Sequence, residues 1–212
     1  MLLYLARHAQ TASSAVDSFN GQRELPLTEQ GRAQARLLGQ RLAGVRFDAV
    51  YRSPLGRTGE TAALVVPALQ ASILRGLIEI DYGGWEGLSA AAARTADPAR
   101  YDAWVADPSS IGPPGGETAA QVAERALAAI AEICARHPGD ERILAVSHKA
   151  TLRVLGAALT GAPVSSYRAR WPQDECALNL VELRPGKEPF LRLWNDTSHL
   201  GPDPAASTRG GK

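Results

Sequence analysis

Two short apolar runs that each end at a histidine constrain the fold of this chain most strongly. Residues 2–6 lead into Arg7 and His8, and residues 143–147 lead into His148. Short runs of this kind, bounded by polar residues, are typical of buried strands in a parallel sheet covered on both faces. Both imidazoles would then lie at the carboxyl ends of strands, where open α/β sheets bind their ligands. The sequence therefore predicts one crevice that contains both histidines.

The order of elements along the chain indicates the fold class. Apolar or alternating runs predict strands at residues 2–6, 48–51, 72–74, 143–147, 177–183 and 190–194. Helices are predicted at residues 28–42, 54–66, 118–137 and 150–159. Strands that alternate with helices through short links favour an α/β fold, three-layer α/β/α with a mainly parallel central sheet.

Three of these helices begin with a capping signal. Thr28 is a suitable N-cap for the first, and Ser53 followed by Pro54 predicts an N-cap at Ser53 for the second. Thr118 and Gln121 have the spacing of a capping box, in which each side chain binds the other residue's backbone N–H.

Residues 1–200 are expected to form a single domain. Within it, residues 89–116 are helix-prone but interrupted at Pro98, and we interpret them as an insertion that covers the carboxyl edge of the sheet. The polar stretch 9–27 lacks periodicity, which in a compact domain favours a binding loop. Residues 201–212 are rich in glycine, proline, alanine and serine and are expected to be a disordered tail.

Composition excludes several classes of protein. The 212 residues are 45% hydrophobic and 21% charged, and the net charge of +1 provides no basic field for nucleic acid. The first apolar run has only the length of a strand, so neither a signal peptide nor a membrane span is expected. Cys134 and Cys176 lack metal-type spacing and are expected to be reduced thiols, which indicates a cytoplasmic protein.

The basic residues around the predicted crevice favour a phosphoryl group as the ligand. Arg7 precedes His8 directly, and Arg57 lies in the first turn of the helix that follows a strand. Two guanidinium groups and a protonated imidazole neutralise phosphoryl oxygens without a metal, while a neutral imidazole attacks phosphorus. His8 is the expected nucleophile, because nearby loop residues can fix its other ring nitrogen. His148 is then the charge stabiliser.

The departing oxygen needs a proton from a carboxylic acid. Glu79 and Asp81 are the best placed, because both lie in a glycine-punctuated loop after the third predicted strand. Glu86, further along this loop, is less favoured.

Five segments in sequence order resemble the histidine phosphatase superfamily, the phosphoglycerate mutase-like proteins. Residues 7–11 read Arg-His-Ala-Gln-Thr and resemble the Arg-His-Gly-x-Thr signature of that family. Residues 26–31 resemble its Leu-Thr-x-x-Gly helix start, and residues 53–58 its Ser-Pro-x-x-Arg turn. The remaining two are residues 77–79 with 84–87, which resemble the acid-bearing loop, and residues 146–148, which resemble the second histidine strand.

The resemblance implies a site residue by residue, in the phosphatase branch of the family and without metal or other cofactor. The implied catalytic residues are His8 as the phosphorylated nucleophile, Glu79 as the proton donor, and His148. The implied phosphate-binding residues are Arg7, Arg57, Asn20 and Gly21. The preference for Glu79 over Asp81 depends mostly on this resemblance.

Three positions depart from the family's pattern. Ala9 replaces the usual glycine, Ser14 lies where an asparagine often reaches the phosphate, and Lys149 follows His148 where glycine is usual. These departures bear on substrate binding more than on the fold.

The leading functional hypothesis is an acid-type histidine phosphatase, a phosphoric monoester hydrolase that acts on a small-molecule phosphate ester. One alternative is mutase-type phosphoryl transfer, although related mutases are generally longer between the acid loop and the second histidine. A second is a phospho-ligand binding module that has lost catalysis. A metal hydrolase is disfavoured, because arginine side chains repel a metal ion.

The sequence names candidates but no contacts for substrate specificity. These candidates are Arg23, Tyr82 and Trp104, together with His199, which could approach the crevice from the tail. His137 is interpreted as a charge partner for a helix C-terminus. Sugar phosphates, phosphorylated sugar acids, nucleotides and a cobalamin-precursor phosphate all remain open, as does the oligomeric state.

Overall fold

A mixed, mostly parallel sheet forms the centre of the molecule. The computed structural model describes residues 1–12 and 18–201. Their strands are β1 (Leu2–Arg7), β2 (Ala49–Arg52), β3 (Ser72–Ile73), β4 (Arg142–Ser147), β5 (Leu178–Glu182) and β6 (Phe190–Asp196), in the spatial order β3-β2-β4-β1-β5-β6. Strands β3, β2, β4 and β1 are parallel neighbours, whereas β5 and β6 pair antiparallel. The predicted α/β class is confirmed.

Helices cover both faces of this sheet. Those in the described part of the chain are α1 (Glu29–Arg41), α2 (Gly56–Val65), α3 (Ala90–Ala96), α4 (Pro98–Ala106), α5 (Ala119–Arg136), α6 (Lys149–Leu159) and α7 (Tyr167–Arg170). The four predicted helices are confirmed within a few residues at each end. The four-residue helix α7 was not predicted, because one turn is too short to show a periodic pattern.

The alternation of side chains along the strands explains why two cores form. On β4, Ile143 faces a core that contains Ile133 of α5 and Leu152 of α6. The next residue, Leu144, faces the opposite core, which contains Leu38 of α1. All of these side chains are fully buried, and each contributes about 1.5–3 kcal/mol by leaving water. Because alternate side chains of β4 enter opposite cores, a strand that is apolar throughout lies between two layers of helices.

Two of the three predicted helix caps are confirmed, and one is wrong. Thr28 caps α1 by accepting a hydrogen bond from the backbone N–H of Gly31, and Thr118 forms the capping box with Gln121. Helix α2 instead begins at Gly56 after Leu55, without a side-chain cap. The Ser53 hydroxyl instead lies 2.7 Å from His148 Nε2.

The segment 89–116 contributes α3 and α4 and packs through aromatic rings. Trp104 of α4 lies against Trp85, Tyr101 and Phe19, with ring centroids 5.2 to 5.7 Å apart. Its role as an insertion over the sheet edge stays a prediction, as does the single-domain boundary. Ser14 and the proposed tail beyond Gly201 lie outside the described residues.

None of the helices in residues 1–12 and 18–201 combines the length and the apolar character that crossing a bilayer requires. Cys134 and Cys176 are free thiols, and burial raises the pKa of Cys176 to about 12.

Candidate active site

The parallel pairing of β1 with β4 brings the two histidines together. Arg7 lies opposite Ser147 in the register, and the backbone N–H of His8 donates to the Ser147 carbonyl at 2.9 Å. The centroids of the His8 and His148 rings are 5.1 Å apart, at an interplanar angle of 59°. The predicted crevice therefore forms where neighbouring strands end.

His8 is held with one ring nitrogen available. Its Nδ1 lies 2.8 Å from the carbonyl oxygen of Ala9, so this nitrogen carries the proton and Nε2 keeps its lone pair. Ala9 is itself anchored, because its backbone N–H donates to Thr61 Oγ1 at 3.1 Å. Burial, followed by the charges of Arg7 and Arg57, holds the pKa of His8 well below its usual range. The ring is therefore neutral at pH 7.

Arg57 is fixed by an acceptor at each of its three nitrogens. Its terminal nitrogens donate to the carbonyl oxygens of Arg23 at 2.7 Å and Gly21 at 2.9 Å, and its Nε donates to His148 Nδ1 at 3.2 Å. Burial lowers the pKa of Arg57, but a guanidinium is basic enough to stay charged. The side chain is thus a cation oriented before any ligand arrives.

His148 lies behind Arg57 and is fully buried. Because its Nδ1 accepts from Arg57, its Nε2 carries the proton and donates to Ser53 Oγ at 2.7 Å. Burial, followed by the charge of Arg57, holds the pKa of His148 well below its usual range. The sequence predicts a protonated imidazole here, whereas the structure makes that of His148 neutral.

Arg7 lines the cavity and has one donor without a partner. Its NH1 donates to the carbonyl of Gln173 at 2.9 Å, while its buried Nε has no hydrogen-bond partner among the described residues. Leaving such a donor unsatisfied costs about 1–3 kcal/mol.

The structure separates the three carboxyl candidates. Glu79 lines the cavity, and its Oε1 accepts from the backbone N–H groups of Ile80 and Thr151, both at 3.0 Å. Its Oε2 accepts from the Ala150 N–H at 3.2 Å, so the carboxyl lies at the N-terminus of α6. Asp81 instead accepts from the backbone of Gly83, at 2.7 Å.

Glu86 supports the loop beneath the site. Its Oε1 accepts from the backbone N–H of Gln22 at 2.7 Å and would lie 2.0 Å from a Cβ added to Gly21. Gly21 has a φ of +45°, and its carbonyl holds Arg57. The position implied for phosphate contact thus also orients a phosphate-binding cation.

The same loop is joined to the start of the 89–116 segment. The backbone N–H of Phe19 donates to Leu88 at 2.9 Å, and that of Gly87 donates back to Phe19 at 2.7 Å. A β-bridge between Ser18 and Ser89 continues this pairing. Loop and segment are therefore one hydrogen-bonded unit.

A cavity of about 960 Å³ opens onto these groups. Its wall includes Arg7, His8, Arg57, Glu79, Asn20 and Gly21. Asn20 uses its Oδ1 to accept from Ser18 Oγ at 3.2 Å, and its amide nitrogen has no protein partner among the described residues. The structure thus brings the predicted site residues together, with His148 reaching the cavity only through its neighbours.

The remaining candidates divide between the cavity and elsewhere. Tyr82, Trp104 and Lys149 line the cavity, whereas Arg23 contributes its carbonyl to Arg57. His137 is the C-cap residue of α5, as expected, and its Nε2 lies 2.9 Å from the Tyr51 hydroxyl. Within residues 1–12 and 18–201, no three His, Cys, Asp or Glu side chains converge as metal ligands do.

Sequence reasoning missed residues at two places. Ser53 was interpreted as a helix cap, although its position in the Ser-Pro-x-x-Arg turn tied it to Arg57. Arg153, Tyr167 and Arg168 also line the cavity, and only a recognisable α7 would have indicated the last two.

Comparison with known proteins settles the family. The sequence pattern of the histidine phosphatase superfamily (branch 1) matches residues 3–197. The chain belongs to this family.

Similar proteins cover nearly the whole chain. Phosphoserine phosphatase 1 of Hydrogenobacter thermophilus is 31% identical over 201 residues, which is 94% of each chain. The 2,3-bisphosphoglycerate-dependent phosphoglycerate mutase of Methylobacterium radiotolerans is 37% identical over 207 residues, covering 93% of this chain and 92% of the mutase. The structure of Bacillus stearothermophilus YhfR superimposes with a TM-score of 0.87 at 33% identity, covering 94% and 98% of the two chains. Phosphatases and mutases thus both occur among the relatives.

Proposed function

We propose that this histidine phosphatase hydrolyses monoesters of small phosphorylated metabolites through a phosphohistidine at His8. One observation carries the proposal. His8 is neutral, its Nδ1–H is bound to a carbonyl, and its Nε2 has no partner among the described residues, beside two guanidinium groups at a cavity. That combination is what a nitrogen nucleophile for phosphorus needs.

In the first step, His8 Nε2 attacks the phosphorus atom while the ester P–O bond breaks on the opposite side. The departing oxygen takes a proton from Glu79. Oε2 is the oxygen suited to hold that proton, because it accepts one backbone hydrogen bond at 3.2 Å whereas Oε1 accepts two at 3.0 Å. An alcohol leaves and a phosphoryl group stays on His8.

Charge on the phosphoryl oxygens is balanced by Arg7, Arg57 and, once substrate binds, His148. Among the described residues the Asn20 amide nitrogen has no protein partner, so a phosphoryl oxygen that binds there displaces no existing bond. A dianion at this place raises the proton affinity of His148. Protonation of its Nδ1 then releases the Arg57 Nε–H toward the phosphoryl group.

In the second step, water replaces His8 on phosphorus. The Glu79 carboxylate left by the first step accepts the proton of that water, the P–N bond breaks, and inorganic phosphate leaves with the enzyme restored. The open cavity of about 960 Å³ gives water a route to the phosphohistidine.

We also propose an acid-type pH dependence. The lowered pKa of His8 keeps the nucleophile neutral at mildly acidic pH.

The test is phosphate release over a panel of phosphorylated metabolites, with His8→Ala as the blank. Trapping should be done by alkaline quench and intact-mass measurement, because phosphohistidine is acid-labile. A gain of one phosphoryl mass in the wild type, absent from His8→Ala, supports the proposal. Ligand binding without release or adduct would instead identify a binding module.

Mutase-type transfer is the second candidate, because a relative at 37% identity is a phosphoglycerate mutase. Supplying 3-phosphoglycerate separates the two reactions. Free phosphate supports hydrolysis, whereas the 2-isomer without phosphate identifies a mutase. A cytoplasmic location remains an expectation from the sequence.

A further inference from the structure

The cavity that Glu79 lines also has lining residues that the proposed chemistry does not use. Tyr82 lies within the acid-bearing loop, Trp104 lies on α4, and Arg153, Tyr167 and Arg168 lie on α6 and α7. Together these side chains are called the distal wall. Three aromatic rings and two guanidinium groups on one side of a cavity form a site for an anionic group with an apolar edge.

Arg168 is the cation that this wall presents. Its guanidinium carbon lies 4.0 Å from the centroid of the Trp104 ring, a cation–π contact that restricts an exposed side chain. Within the described residues, no carboxylate lies within ion-pair distance of Arg168. Arg125, by comparison, pairs with Glu117 at 2.7 Å. Arg168 is thus oriented toward the cavity wall but not neutralised by the protein.

Arg153 has a structural role in this wall. Its nitrogens donate to the backbone carbonyls of Tyr167 at 3.1 Å, Trp171 at 2.6 Å and Arg168. Burial lowers its pKa. These bonds hold α7 in place, so Arg153 builds the distal wall and Arg168 is the group free to bind.

The two tyrosines of the distal wall are neutral donors. Burial raises the pKa of Tyr167 to about 12 and that of Tyr82 well above its usual range. The charges of both Glu79 and Arg168 also act on each of these phenols. The tyrosines therefore lie near both Glu79 and Arg168.

We propose that Arg168 is a specificity-determining residue that binds a carboxylate on the leaving group of the substrate. The inference rests on the proposed function, which places the phosphorus at His8 and the leaving oxygen at Glu79. The rest of the leaving group then extends to the distal wall, where a guanidinium fork matches a carboxylate. The preferred substrate is a short phosphorylated hydroxy or amino acid.

Matched substrate pairs test this directly. O-phosphoserine differs from O-phosphoethanolamine, and 3-phosphoglycerate from glycerol 3-phosphate, at the carboxylate position. For Arg168→Gln, kcat/KM should fall roughly 10- to 100-fold on the carboxylated member of each pair, as loss of a charged hydrogen bond predicts. It should change less than about threefold on the other member. Arg168→Lys should recover part of the loss.

Arg170→Gln is the matched control, because Arg170 lies on the same short helix, is exposed and does not line the cavity. It should leave both members of each pair unchanged. Equal loss on both members in Arg168→Gln, or no loss on either, overturns the inference, as does a wild type that does not favour the carboxylated member. Failure of the proposed function is distinguished by hydrolysis of an aryl phosphate that persists in His8→Ala.

Discussion

The two ends of the cavity are built by different means. At the phosphoryl end, His8, Arg57, His148 and Glu79 are each fixed by hydrogen bonds to strand ends, a helix N-terminus or a tight loop. At the distal wall, aromatic contacts and two cation–π pairs act beside the hydrogen bonds that Arg153 donates to α7. The phosphoryl end therefore depends on the ends of the sheet strands. Under our proposal, the choice of substrate depends on the distal wall beside it.

The largest effect should come from the phosphoryl end. His8→Ala removes the nucleophile, so kcat should fall at least about 10⁴-fold for every substrate, as for other nucleophile deletions. Steady-state phosphate release measures this. His137→Ala, far along the chain at the end of α5, is the control and should retain activity. Retained turnover in His8→Ala would contradict the proposed mechanism.

Loss of the acid should be large but dependent on the leaving group. Glu79→Gln should lower kcat about 10²- to 10⁴-fold on an alkyl phosphate, within the usual range for general acid catalysis. A nitrophenyl phosphate needs little protonation and should lose much less. Asp81→Asn is the comparison variant. An equal loss on both substrates would show that Glu79 binds rather than protonates.

Ser53→Ala tests whether the position of His148 matters. The variant leaves the buried Nε2–H of His148 unsatisfied, which should cost about 1–3 kcal/mol in the free energy of unfolding. It should also lower kcat about tenfold and shift the pH profile, which a purely structural residue would not do. Urea denaturation and the pH dependence of kcat measure the two effects. Ser53→Thr keeps a hydroxyl and should rescue both.

Gly21→Ala tests the loop that orients Arg57. A Cβ there meets Glu86 Oε1 at 2.0 Å, and the φ of +45° is already strained for alanine. We expect a loss of about 1–3 kcal/mol in the free energy of unfolding and a higher KM. Gly115→Ala is the matched control, because Gly115 has a φ of +69° with open space around its Cβ position. If both variants behave alike, the contact with Glu86 is irrelevant.

The smallest expected effect is the pH dependence of stability. The folded state holds the pKa of His8 and of His148 below the unfolded value, so below pH ~6.5 the unfolded chain binds more protons. The contribution of these two histidines to the free energy of unfolding should therefore be fully present above that pH and should be lost as the pH falls. Urea denaturation at about pH 7.5 and about pH 5.5 should show a weaker fall in His8→Ala. An identical fall in both proteins would count against neutral histidines.

The difference between the phosphoryl end and the distal wall also explains which site residues the sequence could predict. The runs 2–6 and 143–147 are apolar enough to be strands in any globular context, and parallel neighbours must end at the same edge. His8 and His148 followed from that alone. Glu79 needed the family resemblance, because its selection over Asp81 depends on the backbone of Ala150 and Thr151, which are distant in sequence.

Other features depend on contacts that no local pattern encodes. Ser53 resembles a helix cap, and its hydroxyl reaches His148 only because β2 lies beside β4. Arg168 belongs to one turn of helix, and its partner Trp104 is far away in sequence. The neutrality of His148 arises from burial beside Arg57, which composition and spacing do not report.

The backbone pairing of Phe19 with Gly87 and Leu88 has a practical consequence for engineering. Exchanging residues 89–116 for the corresponding part of a relative would also disturb this backbone pairing. The pairing supports the loop whose Gly21 carbonyl accepts from Arg57. A variant in which this segment is exchanged to alter selectivity should therefore also take residues 18–22 from the same relative.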